Sequence, residues 1–179
     1  MAEAPPLFTI GHSTRTIAQF VELLRAGRVE RVVDVRTLPR SRTNPQYNLD
    51  ALPGALADYQ IAHGRIEALG GLRSRQAEVP PAINGWWTNQ SFHNYADHAL
   101  SDAFAAGLSA LLALDGRTAV MCSEAVWWRC HRRIIADYAM LHGREVFHLM
   151  GAEKVDPARM TPAAMPSNGR LVYPATGPA

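Results

Sequence analysis

Between Met121 and Arg133 the sequence holds both of its cysteines, Cys122 and Cys130, together with Glu124, Arg129, His131, Arg132 and Arg133. These types supply a thiol nucleophile or redox thiol, an imidazole acid/base, an orienting carboxylate and guanidinium clamps for an anion. An apolar run, Thr118 to Met121, leads in. Ile134, Ile135, Tyr138 and Leu141 share one helical face on the way out, so the reactive residues are expected on a strand-to-helix turn, with a helix from about Trp128 to Leu141.

Cys122 is the first candidate nucleophile. The N-terminus of the following helix and the nearby Arg129, Arg132 and Arg133 all favour its thiolate, although an inert cysteine closing a core strand fits the position equally well. Glu124 argues against a phosphatase, because a carboxylate two residues past the cysteine repels phosphate, and Arg129 stands farther along than the phosphatase spacing. Cys130, His131 and Arg132 fall in the expected first helical turn. Successive helical residues point about 100° apart, so one of Cys130 and His131 is expected to pack rather than face a ligand. Cys122, Cys130 and His131, with Glu124 or His12, are also suitable metal-ligand types, but seven intervening residues between the cysteines match no common zinc spacing.

The positioning elements read as alternating strands and helices. Leu7 to Ile10 is a short buried strand, ended by Gly11-His12-Ser13. Thr16 and Gln19 form a capping box for a helix to about Ala26, with Ile17, Phe20, Val21 and Leu24 on one face. Val29 to Val35 reads as a parallel strand carrying Asp34, with Arg36 just beyond it. Residues 37 to 48, broken by Pro39 and Pro45, form a loop in which Arg36, Arg40, Ser41, Arg42 and Tyr47 could close over an anion. Leu49 to Tyr59 reads as a helix, Ile61 to Leu69 contains a short strand, and residues 73 to 85 show no periodicity. Tyr59 and the pair Trp86-Trp87 are candidate stacking surfaces for a base. Asn94 to Leu114 is expected as one long helix, and Glu145 to Leu149 as the last strand.

This order implies a single α/β domain over residues 7–150, with a mainly parallel sheet and helices on both faces. Residues 1–6 are expected to be disordered or extended. Residues 151–179 form an extension that packs on the domain, with Leu171-Val172-Tyr173 as a candidate edge strand. In such sheets ligands bind outside the carboxyl ends of the strands. Three strands end there in reactive residues: His12 and Ser13, Asp34 and Arg36, Cys122 and Glu124.

Taken together, Thr9-Ile10-Gly11-His12-Ser13, Val33-Asp34-Val35-Arg36 with Pro39 and Ser41-Arg42, Leu69-Gly70-Gly71, and Cys122-Ser123-Glu124 with Cys130-His131-Arg132 resemble the bacterial and archaeal family called domain of unknown function 488. The resemblance spans about residues 7 to 150 and continues weakly to Leu171-Val172-Tyr173-Pro174. It implies an α/β domain and marks His12, Asp34, Arg36, Ser41, Arg42, Cys122, Glu124, Cys130, His131 and Arg132 as motif positions, without implying an activity. Relatives carry a His shortly before a Thr-Pro pair, where this chain has Ala158 ahead of Thr161-Pro162. The Val-Asp-Val-Arg run also looks like the start of a rhodanese domain.

Composition sets the outer bounds. A chain of 179 residues, 47% hydrophobic, is long enough for one domain with a full core. A net charge of +2 gives no global argument for nucleic acid or membrane. Arginine makes up all the basic residues except Lys154, a bias that fits either a GC-rich genome or anion recognition. The first residues lack a signal-peptide pattern and no apolar run spans a bilayer, so a cytoplasmic protein is expected. Its two cysteines then read as thiols rather than a disulfide scaffold, with a 122 to 130 disulfide available under oxidation.

The function expected is an enzyme, a cysteine-based transferase or hydrolase, on a small anionic substrate that bears phosphate, sulfur or a nucleotide. Cys122, Glu124, His131, His12 and Asp34 are its catalytic candidates; Ser13, Arg36, Ser41, Arg42, Tyr59, Cys130 and Arg132 are its binding candidates. No cofactor is required. A nucleotide or nucleic-acid binding module, in which the cysteines only pack, is the first alternative, and a metal-dependent enzyme with Cys, His and Glu ligands is the second.

Overall fold

Leu7–Gly11, buried at every position, forms β1, the centre of the fold in a computed structural model that describes residues 3–151 and 153–175. Thr16 caps the helix that follows, α1 (Ile17–Ala26). Its hydroxyl accepts the Gln19 amide at 3.1 Å, and the Gln19 side chain accepts the Thr16 amide at 2.9 Å, which satisfies two of the N–H groups a helix start leaves unpaired. Next come β2 (Arg31–Asp34), α2 (Leu52–Ala57) and β3 (Ala62–Arg65). Strand β2 is shorter than the expected Val29–Val35, although both outer valines are buried.

The long helix expected over 94–114 is two helices, α3 (Gln90–His98) and α4 (Asp102–Leu112). Ser101 causes the break: its side chain accepts the Phe104 amide at 3.2 Å, so α4 begins with a cap of its own. The apolar stripe of Leu100, Phe104 and Leu108 runs across this break and hides it from periodicity. After α4 come β4 (Thr118–Cys122), α5 (Arg132–Leu141) and β5 (Val146–Gly151).

The six strands are ordered β3-β2-β4-β1-β5-β6, with β6 (Lys154–Pro157) antiparallel to β5 at the edge and the others parallel. Alternate residues of the central strands feed two cores, as a strand period of two requires. Phe8, Ile10, Val32, Ala119 and Met121 pack under α1 and α2. Leu7, Val33, Val35 and Val120 pack under α3, α4 and α5. Strand β4 lies between β1 and β2, with Gly11 opposite Cys122 and Asp34 opposite Met121. The three reactive strand ends are therefore neighbours.

The edge strand expected from Leu171-Val172-Tyr173 comes instead from Lys154–Pro157. Leu171 and Val172 belong to a separate hairpin of β7 (Met165–Ser167) and β8 (Arg170–Val172). Asn168 and Gly169, with φ of 51° and 76°, make its two-residue turn. An Asn-Gly pair is the usual signal for such a turn. Tyr173 anchors the segment by donating its hydroxyl to Asp137 Oδ2 at 2.9 Å. Residues 3–6 of the expected disordered or extended N-terminus carry no helix or strand; its first two residues, and residues 176–179 of the extension, lie outside those described. Among the described residues no helix is long and apolar enough to cross a membrane.

Candidate functional site

The carboxyl ends of β1, β2 and β4 open into a cavity of about 350 Å³. His12, Arg36, Cys122, Cys130 and His131 are its buried or half-buried lining. Thr37, Leu38, Arg40 and Ser41 of the loop after β2, Gly71-Leu72, Ser91-Phe92 of α3, and Ser123, Glu124 and Arg129 complete its wall.

Arg36 is held before any ligand arrives. Its Nε and one terminal nitrogen donate to the two oxygens of Asp34 at 2.9 and 2.7 Å, and the same terminal nitrogen donates to the Tyr47 carbonyl at 2.6 Å. A two-pronged pair of this kind fixes the guanidinium plane. The other terminal nitrogen lies 3.3 Å from His12 Nε2. Because His12 donates from Nδ1 to the Ser13 carbonyl at 2.8 Å, Nε2 is the acceptor, and the ring is neutral. Burial, with Arg36 adding to it, holds the His12 pKa below 6.5. The ring stacks on Tyr47, centroids 4.3 Å apart, which ties the loop after β2 to the end of β1.

The cysteines meet in the next layer. The structure joins them as a Cys122–Cys130 disulfide across a sequence separation of 8, with Cα atoms 7.5 Å apart, the oxidised form of the thiol pair expected from the sequence. The surroundings of the two differ. Cys122 Sγ lies 3.8 Å from the Glu124 carbonyl. Cys130 Sγ lies 3.4 Å from His131 Nδ1 and accepts the Arg132 amide at 3.4 Å. His131 donates from Nε2 to the Val35 carbonyl at 2.7 Å, which leaves Nδ1 unprotonated and aimed at the sulfur. Burial pushes the His131 pKa down to about 4. Gly71 lies against this ring so closely that a Cβ there would overlap it.

The expectation that one of Cys130 and His131 must turn away does not hold. Trp127–Arg129 form a single 3-10 turn, Cys130 is extended, and α5 starts only at Arg132. The 100° rule does not apply between residues that precede the helix. Both side chains therefore reach the cavity. A metal centre from Cys122, Cys130 and His131 is not assembled: the sulfurs face each other, and among the described residues no three His, Cys, Asp or Glu side chains form a ligand group.

Arg132 is not a ligand clamp. It is fully buried beneath the Cys122–Glu124 turn, where it donates to the Glu124 carbonyl at 2.7 Å and the Thr9 hydroxyl at 3.2 Å. The Thr9 hydroxyl also hydrogen-bonds with His148 Nδ1 at 2.7 Å, and His148 stacks on Trp127 at 4.4 Å. Among the described residues no carboxylate forms an ion pair with this guanidinium, and burial brings its pKa down to about 9. Its place is to hold the turn that carries the cysteines. Gly11 completes that clamp, since only a residue without Cβ lets the Glu124 carbonyl lie across the end of β1.

Of the other site candidates, Asp34, Ser13, Arg42 and Tyr59 fall outside the cavity, while Ser41 stays on its wall. Asp34 lies behind Arg36, which it orients. Ser13, at φ 49°, donates its amide to the Ser123 carbonyl at 3.0 Å and so extends the β1–β4 pairing. Asn48 accepts the Ser41 amide at 2.6 Å and Ser41 accepts the Asn44 amide at 3.0 Å; this fold keeps Ser41 on the wall while Arg42 is exposed outside it. Tyr59 precedes β3, at the opposite end of the sheet, under the Arg25 guanidinium at 5.5 Å. Trp86 and Trp87 offer no base-stacking face, because Trp87 is buried between Phe92 and Tyr173 and Arg133 lies over both indoles. Sequence reasoning missed Leu72, Ser91 and Phe92 as wall residues. The Gly70-Gly71 pair was the available signal for the first; nothing local marked the other two.

A parallel α/β domain with a buried cysteine pair and a histidine at its strand-end crevice is the class that fold and site define. The family described as Domain of unknown function DUF488 matches residues 16–139, and the chain belongs to that family. No curated protein and no solved structure matches it.

Proposed function

We propose that this protein is an enzyme acting on a small anionic substrate, with Cys130 as its nucleophile and His131 as the group that takes and returns the thiol proton. The observation that carries this reading is the position of Cys130 Sγ in the cavity lining, 3.4 Å from an unprotonated His131 Nδ1 and 3.4 Å from the Arg132 amide. The helix-terminal N–H favours a thiolate, and the neutral His131 nitrogen is placed to accept the thiol hydrogen as it leaves. Cys122 lacks both and faces a carbonyl instead, which favours its thiol form.

The charges of the wall support an anionic ligand. Arg36, Arg40 and Arg129 line it against the single carboxylate of Glu124. Leu38, Leu72 and Phe92 give the remainder an apolar surface, as small-molecule sites require. A cytoplasmic setting belongs to the same proposal, because a thiol nucleophile works only where a reducing compartment returns the pair to its thiol form. Of the stacking pair that the nucleotide or nucleic-acid alternative expected, Trp87 is buried in the core.

Thermal-shift measurements with phosphate, sulfate, thiosulfate and nucleotides test the binding half, since a ligand selective for the native state raises the midpoint. Alkylation of Cys130 against pH in a Cys122→Ser background tests the nucleophile. An alkylation pKa at or above the free-thiol value of about 8.5 would sink it. Oligonucleotide affinity that falls steeply with salt would favour the binding-module alternative.

A further inference from the structure

We propose that Cys130 and Cys122 act in sequence as a dithiol pair that reduces small anionic molecules carrying a sulfur–sulfur bond. This rests on the reading of Cys130 as nucleophile and adds the bond it breaks. The contact between the two sulfurs decides the substrate class. In acyl or phosphoryl transfer the enzyme-bound intermediate is resolved at carbon or phosphorus, by a nucleophile aimed at that atom. Cys122 is aimed at Cys130 Sγ itself. Attack there is productive when that sulfur carries a thiolate leaving group, as in thiol–disulfide exchange.

The unlike surroundings of the two thiols fix the order. Cys130, beside His131 Nδ1 and the Arg132 amide, attacks first. A Cys130–sulfur bond forms, the substrate sulfur–sulfur bond breaks, and the thiol proton leaves through His131 with the first product thiol. Cys122 then attacks Cys130 Sγ, giving the Cys122–Cys130 disulfide and a second product thiol that takes the Cys122 proton. One substrate disulfide is reduced to two thiols, and the enzyme dithiol is oxidised. A cellular dithiol or thiol reductant must restore the pair. Arg40 and Arg129 at the wall favour carboxylate-bearing or sulfonate-bearing disulfides over neutral or cationic ones.

The test uses the reduced full chain, bis(carboxymethyl) disulfide as the anionic probe and cystamine as a cationic probe of similar length, followed by intact mass and released thiol. Wild type is expected to end about 2 Da lighter, without adduct, having released two thiols per chain. Cys122→Ser should stop with one adduct on Cys130 and one thiol released. Cys130→Ser should react at least about tenfold more slowly than Cys122→Ser, and cystamine at least about tenfold more slowly than the anion. Stable adducts on both wild-type cysteines, or a Cys130→Ser variant as fast as Cys122→Ser, overturn the ordered pair; equal rates for the two probes overturn the anionic class. The wild-type mass alone decides closure if a serine variant does not fold. Where the pair fails to close but anions still stabilise the protein and Cys130 alkylates with a lowered pKa, only this inference falls. An ordinary Cys130 thiol with no anion stabilisation removes the proposed function as well.

Discussion

His131 donates from Nε2 to the Val35 carbonyl at 2.7 Å, and that bond turns Nδ1 toward Cys130 Sγ, 3.4 Å away. A backbone group at the end of β2 thereby sets the tautomer of a histidine that precedes α5. Second partners of this kind commonly decide which imidazole nitrogen is available as a base.

Replacing His131 with asparagine removes the imidazole nitrogen beside Cys130. In a Cys122→Ser background the alkylation pKa of Cys130 should move toward about 8.5, with the rate at neutral pH falling about tenfold. An unchanged pH profile would leave the Arg132 amide as the only activating group.

Gly71→Ala places a methyl in the space of the His131 ring. Overpacking of this sort costs about 1–3 kcal/mol, and here it should also displace the imidazole and slow Cys130. Gly54, within α2, has open space where a Cβ would stand, with nothing within 4 Å. Gly54→Ala should therefore be neutral, or stabilising by up to about 1 kcal/mol. Urea midpoints of the two variants check the contrast.

Acid should unfold the protein through its buried neutral histidines. Burial depresses His12, His63, His98, His131 and His148 below 6.5, with His131 at about 4 and His148 at about 3. Between those values and 6.5 the unfolded chain binds more protons than the native one, so stability rises with pH across that window. Stability is therefore lost as pH falls from 6.5 through about 4 and 3. Urea denaturation at neutral pH and at several acid values should give midpoints that drop steeply below 6.5; a flat profile contradicts the assignment of neutral rings.

Arg132→Met separates stability from function. It removes donors from the Glu124 carbonyl and the Thr9 hydroxyl, at about 1–3 kcal/mol for each acceptor left dry. It also removes a buried cation without a carboxylate partner, whose desolvation costs several kcal/mol. The two effects oppose each other, so the melting midpoint should move by only about 5 °C. The turn carrying Cys122 loses its clamp, and thiol reactivity should change far more than stability. A midpoint drop of about 15 °C or more, with normal thiol reactivity, would make Arg132 a structural residue alone.

The sequence made legible those features that local chemistry controls. Thr16 and Gln19 announced the start of α1, and the β-branched run around Val32 and Val33 announced β2. Ser101 broke a helix without breaking the apolar stripe, so its cap became visible only with the Phe104 amide beside it. Cys130 was misplaced for a related reason: the Trp127–Arg129 turn delays α5 to Arg132, and the stacking of Trp127 on His148 that accompanies this delay involves a residue far along the chain.

By itself the sequence determined which residues end β1, β2 and β4, because apolar runs and the breakers after them are read within a few positions. It therefore named His12, Arg36 and Cys122 as neighbours of a crevice. Only the tertiary structure decided what each could do there. Inserting β4 between β1 and β2 is a matter of long-range pairing, and it brings Arg36, already held by Asp34 two residues away, beside His12, buries Arg132 under Glu124, and leaves Arg40 and Arg129 at the wall. The same insertion lets His131 reach Val35. Which cysteine stands beside a base follows from those contacts, and no local periodicity encodes them.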